Sequence, residues 1–196
     1  GVYTIANKKG DAVTSMDHSH IRSNSVYANA SVGWKNQLYL DVSARNDWSS
    51  TINEAFFYPS ASLSWIATET LPWLKGDGSA LSFLKLRGGW AEIGNATTAY
   101  RNRAYYYLDT DGSFNGVAQI YKSTTYPNEN LKPESIKTWE IGAEFGFLHD
   151  RLRLDVAYYK KTTTDQILNV TVPYSTGYSS LLINAGEIQN KGVEIQ

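Results

Sequence analysis

The chain has 196 residues and a formal net charge of −1. That balance excludes the strong basic field of a nucleic-acid binder and any strong preference for an acidic substrate. It contains no cysteine, which excludes disulfides, zinc–thiolate sites and thiol catalysis. No run of about 18 apolar residues occurs, so no transmembrane helix is expected. The mean hydropathy of −0.38 does not exclude a barrel, whose strands hide an apolar face in alternation. Tyr (14) and Trp (6) are abundant, as in strands and at membrane interfaces.

Residues 1–20 are polar and rich in Gly, Asn and Lys, and read as a loop or strand end. Gly1-Val2-Tyr3 reads as an interior start, and the chain stops inside an alternating run at Val193–Gln196, so a piece of a longer chain is expected. Asp17-His18-Ser19-His20 carries a His-x-His pair. A metal site needs more ligands than two, and an exposed loop is the expectation there. Residues 21–196 read as part of one barrel domain.

From Ser25 to Trp34, Val26, Ala28, Ala30, Val32 and Trp34 oppose Tyr27, Asn29, Ser31 and Gly33. Lys35-Asn36-Gln37 is a tight turn. Leu38, Leu40, Val42 and Ala44 then oppose Tyr39, Asp41, Ser43 and Arg45. Asn46–Phe56 is expected as a polar loop with aromatic ends, and residues 57–66 as a strand with Ala61, Leu63 and Trp65 against Ser60, Ser62 and Ser64. Pro59 lacks a donor and belongs near the strand start. Residues 67–82 form a connection with Pro72 and Gly76-Asp77-Gly78. Residues 84–94 form the next strand, and Gly88-Gly89 predicts a bend or bulge. Residues 95–134 are the longest unpatterned stretch, and such loops are functional or disordered. Residues 169–184 are a further loop, and a last strand starts near Ala185 or Gly186.

The clearest pattern lies between Asn130 and Lys161. Trp139, Ile141, Ala143, Phe145 and Phe147 alternate with Thr138, Glu140, Gly142, Glu144 and Gly146. Leu152, Leu154, Val156 and Tyr158 alternate with Arg153, Asp155, Ala157 and Tyr159. Leu148-His149-Asp150-Arg151 closes the two runs into a hairpin. Each run is about 12 residues long, against about 5–6 for soluble strands, and fits a tilted bilayer crossing. A basic residue facing lipid at the midplane costs roughly 2–4 kcal/mol. The apolar parity therefore faces lipid, and the polar parity faces a wet interior.

Connections alternate: short at 35–37, long at 46–56, moderate at 67–82, long at 95–134, short at 148–151 and long at 169–184. Outer-membrane barrels pair short periplasmic turns with long extracellular loops. Trp34, Trp65 and Phe147 then fall near the periplasmic rim, and Trp139, Phe57 and Tyr158 near the outer rim. The reading is all-β: about seven antiparallel strands of a larger transmembrane barrel. Two other architectures share parts of the pattern, a passive pore or adhesin barrel and a soluble β-sandwich binding module.

Asn130-Leu131-Lys132-Pro133-Glu134 ahead of Trp139-Glu140-Ile141-Gly142 forms the first of several distinctive segments. The others are Tyr58–Ser62, Leu84–Arg87 with Gly94-Asn95, Arg151–Tyr159 with Thr164-Asp165, Asn184-Ala185-Gly186, and Asn190–Glu194. In this order they resemble the SusC/RagA family of TonB-linked outer-membrane proteins, over roughly residues 21–196. The resemblance implies a barrel of about 22 strands with a plug. It implies bacterial outer-membrane localisation, with lipid around the barrel. It also implies energised import of oligosaccharide or peptide fragments, a SusD-like surface lipoprotein, and contact with TonB through an N-terminal region outside this sequence. The motifs are strand and turn signals, so they assign no binding residue.

Candidate binding residues come from the pattern itself. Tyr105, Tyr106, Tyr107 and Phe114 offer rings for stacking on cargo, or for packing within the loop or against a partner. Glu140, Glu144, Arg153 and Asp155, with Lys161, line the polar face, where such residues touch substrate or pair across strands. Asp109-x-Asp111-Gly112-x-x-Asn115 resembles part of a calcium loop but lacks the later bidentate Glu; a solvated turn is expected. Ser60, Ser62 and Ser64 form a polar stripe with no base nearby. Gly76-x-Gly78 is too short for a phosphate cradle. No catalytic arrangement and no cofactor signature stands out, so an enzyme is not expected.

Overall fold

The computed structural model describes residues 18–76, 79–115 and 117–196, with the backbone course alone for 109–114. Seven strands form one antiparallel sheet: β1 (Ser23–Trp34), β2 (Leu38–Ser49), β3 (Phe56–Ile66), β4 (Leu81–Asn95), β8 (Glu134–Phe147), β9 (Leu152–Thr164) and β12 (Glu187–Ile195). They lie side by side in the order β1-β2-β3-β4-β8-β9-β12. Between β4 and β8 come β5 (Tyr106–Phe114), β6 (Val117–Lys122) and β7 (Thr125–Tyr126). Between β9 and β12 come β10 (Ile167–Thr171) and β11 (Ser180–Asn184).

The register carries the alternation across the whole sheet. Residues opposite one another in an antiparallel pair share a face. Val32, Leu40, Leu63, Gly88, Ile141, Tyr158 and Val193 form one continuous apolar rung. Trp34, Leu38, Trp65, Leu86, Ala143, Val156 and Ile195 form the next. The intervening rung reads Gly33, Tyr39, Ser64, Arg87, Gly142, Ala157 and Glu194 and is polar or small. A slip of one residue in any strand would put charge among the apolar side chains.

No second sheet covers the apolar face among the described residues. Ile141 stays 63% exposed and Val32 62% exposed, as befits a face whose solvent is lipid. This corrects the sandwich alternative, which needs that face in a closed core. Trp34 and Trp65 share the rung at the short-turn end. Trp139 shares its rung with Trp90, ring centroids 5.9 Å apart, while Tyr158 sits one apolar rung deeper.

The short turns are tight for local reasons. Lys35 and Asn36 both take positive φ, and Gln37 N–H closes onto the Trp34 carbonyl at 2.9 Å, the mirror-image turn that suits strand twist. Leu148, His149 and Asp150 take positive φ as well. That turn is tied to the end of the β3–β4 connection and the start of β4: Leu148 N–H reaches the Ala80 carbonyl at 2.8 Å, and Asp150 N–H reaches Ser82 Oγ at 3.1 Å. The connection itself is not featureless. It holds α1 (Ala67–Thr70) and a 3-10 turn at Pro72–Lys75, with Ala67 and Thr68 buried.

Several expectations are corrected. Gly88 and Gly89 make no bulge; the ladder runs through both, and its irregularity falls at Leu81/Phe83. Residues 46–49 belong to β2, since the ladder outlasts the apolar pattern once the strand leaves lipid. Residues 95–134 contain the β5–β6 hairpin and β7, and residues 167–184 contain β10 and β11. The last sheet strand starts at Glu187. The buried apolar side chains include Ile52, Phe56, Leu131 and Leu182, all at the long-loop end of the sheet.

Candidate functional site

The polar face of β4, β8 and β9 carries a charge network. Gly142 separates Arg87 from β9, and its missing side chain lets the Arg87 guanidinium cross β8. A Cβ on Gly142 would stand 2.9 Å from Arg87 Cζ. Arg87 Nη1 therefore reaches Asp155 Oδ2 at 2.8 Å, and Nε lies 3.5 Å from Glu140 Oε1. Arg153 pairs with Glu144 at 3.4 Å. Three of these groups keep about a quarter to a third of their side-chain surface, at 28% for Arg87, 33% for Asp155 and 24% for Glu144. Such pairs are partly screened. They offset most of the charge on the wall, two guanidinium groups against three carboxylates, and leave its polar atoms reachable.

Beside the network the wall is low. Ser60, Ser62, Ser64, Gly89 and Ala91 project little, and a trough of about 390 Å³ runs over them to Arg87 and Glu140. The serine stripe is the floor of this trough.

Beyond the strands, the distinctive segments meet. The Glu134 carboxylate accepts Ile167 N–H at 2.9 Å and Asn95 Nδ2 at 3.1 Å. Asn184 Nδ2 also donates to the Asp165 carbonyl at 2.8 Å, and its amide is joined to the Lys132 backbone. Leu131 and Leu182 are each 1% exposed beneath these bonds. Gly94-Asn95, Leu131–Glu134, Thr164-Asp165 and Asn184 thus form one clamp at the loop bases. β11 runs parallel to β7 through Ser180–Thr125 and Leu181–Tyr126, joining the two long connections.

The tyrosines divide. The Tyr105 and Tyr107 hydroxyls lie 2.8 Å apart, and Tyr107 stacks on Tyr121 at 5.1 Å. Tyr106 pairs with Lys122 on the opposite face of the hairpin and is 72% exposed. The hydrogen bond with Tyr105, followed by loss of hydration, holds the Tyr107 phenol up at about 12. The side chains of Asp109, Asp111 and Phe114 lie outside the described residues, as do Asp17, Asp77 and Gly78. Among the described residues, no group of three or more His, Asp or Glu is gathered for a metal.

Glu140, Glu144, Arg153 and Asp155 share the polar face, far in sequence from the tyrosine pair of the β5–β6 connection. The parity of Arg87 on β4 puts it on that face, but its central position is not legible in the sequence. Arg101, Arg103 and Tyr121, which lie around the tyrosine pair, carry no periodic signal.

The fold and the wall define a segment of an outer-membrane β-barrel, open at β1 and β12. Residues 2–196 match the family described as TonB dependent receptor-like, beta-barrel, and the chain belongs to that family. It is 34% identical over 143 residues to the TonB-dependent receptor SusC of Bacteroides thetaiotaomicron, covering 70% of this chain and 14% of SusC. It is 30% identical over 200 residues to a TonB-dependent receptor of Formosa agariphila, covering 96% of this chain and 19% of that one. The RagAB peptide importer superposes with a TM-score of 0.77 at 25% identity, over 88% of this chain and 19% of that chain. These relatives place the chain with SusC and RagA among the TonB-dependent receptors, which are receptors rather than enzymes. The siderophore receptor PirA of Pseudomonas aeruginosa shares the fold, with a TM-score of 0.59 at 17% identity over 89% of this chain and 30% of that chain. The chain spans about a fifth of the length of the Formosa agariphila receptors it matches.

Proposed function

We propose that this chain supplies wall and extracellular loops to a TonB-dependent transporter that imports oligosaccharide or peptide fragments with a SusD-like surface lipoprotein. The observation that carries the reading is the alternation of apolar and polar rungs, carried by register across seven strands. It gives the segment a lipid face and a polar interior face, which is what a cargo-passing barrel needs. Kinship with SusC and with a peptide importer supports import and the lipoprotein. The trough over Ser62 and Gly89, and the rim at Tyr105 and Tyr107, are the proposed cargo-facing surfaces, with Glu140, Glu144, Arg153 and Asp155 lining the way.

The test is uptake of labelled oligosaccharide and peptide pools by cells carrying the full-length receptor, with and without functional TonB. Accumulation should require TonB and a lipoprotein that co-purifies with the receptor in detergent. Uptake that persists without TonB would instead establish a passive pore.

A further inference from the structure

At the base of the β5–β6 hairpin is a cleft of about 170 Å³. Arg101, Arg103, Tyr105, Tyr107 and Asn169 contribute to its polar lining together with the hydroxyl residues 123–125, and Leu182 is among its apolar lining. The volume is below the roughly 300–1,000 Å³ of sites that enclose a drug-sized ligand. It suits one unit of a polymer rather than a whole oligomer.

The donors outnumber the acceptors. Each guanidinium presents five N–H groups and no acceptor. Tyr105 and Tyr107 have two hydroxyl protons between them, and their mutual hydrogen bond uses one. The other is left to donate outward. Ser123 Oγ is already spent on Thr125, which it bonds through both N–H and carbonyl. No carboxylate lines the cleft among the described residues. Within the same residues, neither Arg101 nor Arg103 lies in an ion pair, unlike Arg87, Arg45 and Arg153. Two planar forks beside a phenol pair match an oxyanion, which guanidinium holds through two parallel bonds. The edge-packed rings of Tyr105 and Tyr107, centroids 5.0 Å apart, add an apolar surface beside the charged group.

We infer that this cleft binds a single oxyanion, a carboxylate or sulfate ester, borne by the imported cargo, so that the transporter selects acidic oligomers. The inference rests on the import reading above and adds a substrate class to it.

The experiment uses the full-length receptor purified in detergent and isothermal titration. The probes are tetragalacturonate, its methyl ester, a sulfated oligosaccharide, tetraglutamate and tetraglutamine. An anionic probe should bind, weaken as salt rises, and outbind its neutral counterpart. The R101Q/R103Q variant should lose about ten-fold or more in affinity for that probe, while R101K/R103K should recover part of it. A heat-modifiable gel shift verifies that each variant is folded. Binding of the saccharides alone, or of tetraglutamate alone, supports the inference and assigns the source of the anion. Equal affinity for charged and neutral probes, unchanged affinity in R101Q/R103Q, or no binding of any anionic probe overturns it. TonB-dependent uptake measured on the same variants tells loss of this cleft from failure of the import reading.

Discussion

Asn184 grips Lys132 at both of its backbone polar groups. Lys132 N–H donates to Asn184 Oδ1 at 2.8 Å, and Asn184 Nδ2 donates to the Lys132 carbonyl at 2.8 Å. The side-chain amide imitates one rung of a β-ladder between segments that never pair as strands. Only an amide with this reach offers a donor and an acceptor side by side. Asn184→Ala removes these bonds and the one to Asp165, and should destabilise the loop bases by about 1–3 kcal/mol. The expected result is faster protease cleavage between residues 123 and 134 on intact cells expressing the full receptor. Cleavage at the parent rate would refute the clamp.

The orientation of the sheet predicts an asymmetric response to added charge. Ile141→Lys places an ammonium on the lipid face and should cost roughly 2–4 kcal/mol if it lies near the midplane. Ser62→Lys, on the adjoining polar rung, should fold into vesicles close to normally. Urea titration of receptor refolded in lipid measures both. Equal losses would contradict the assignment of faces.

Arg87 and Asp155 meet only because Gly142 carries no side chain. In Gly142→Ala the guanidinium has to leave, and a long side chain can do so at small cost. Arg87→Ala should cost within about 1 kcal/mol in the parent, since the pair is partly solvated. The same substitution should cost less still in the Gly142→Ala background. A double-mutant cycle reads this coupling; strict additivity would mean the pair contributes nothing.

Tyr107 predicts a pH effect on the β5–β6 hairpin. Its phenol is held up at about 12 by Tyr105, against about 10 for a free tyrosine. A raised pKa means the folded loop favours the neutral form. The stabilisation is therefore complete below pH 10 and disappears as pH rises through about 12. A phenolate absorbance difference between the parent and Tyr107→Phe should show one late-titrating group, and Tyr105→Phe should bring it back toward the ordinary value. A difference titrating near 10 in the parent would remove the hydrogen bond from consideration.

The seven barrel strands were legible because lipid imposes a binary pattern, and Ile141, Phe145, Leu154 and Val156 obey it on facing strands. The pattern falls silent where the strands leave lipid. Residues 46–49 and 162–164 continue the ladder with Asn, Asp, Trp, Ser and Thr, which no longer need to alternate. β7 and β11 escaped notice because their pairing is parallel and joins residues 55 apart. The candidate carboxylates were visible by parity. Their partner Arg87 was visible too, but its reach across Gly142 ends on Asp155, two strands away and 68 residues along the chain. Arg101 and Arg103 lie in a connection with no period at all.

The clamp at the loop bases has a consequence for how such a barrel can diversify. Glu134, Asn184 and Leu131 fix the places where the chain leaves and re-enters the wall, whatever happens further out. The tip between Tyr106 and Lys122 is in effect a cartridge on a standard socket. New tips could be swapped in, longer or with other chemistry, without asking the membrane-embedded staves to change.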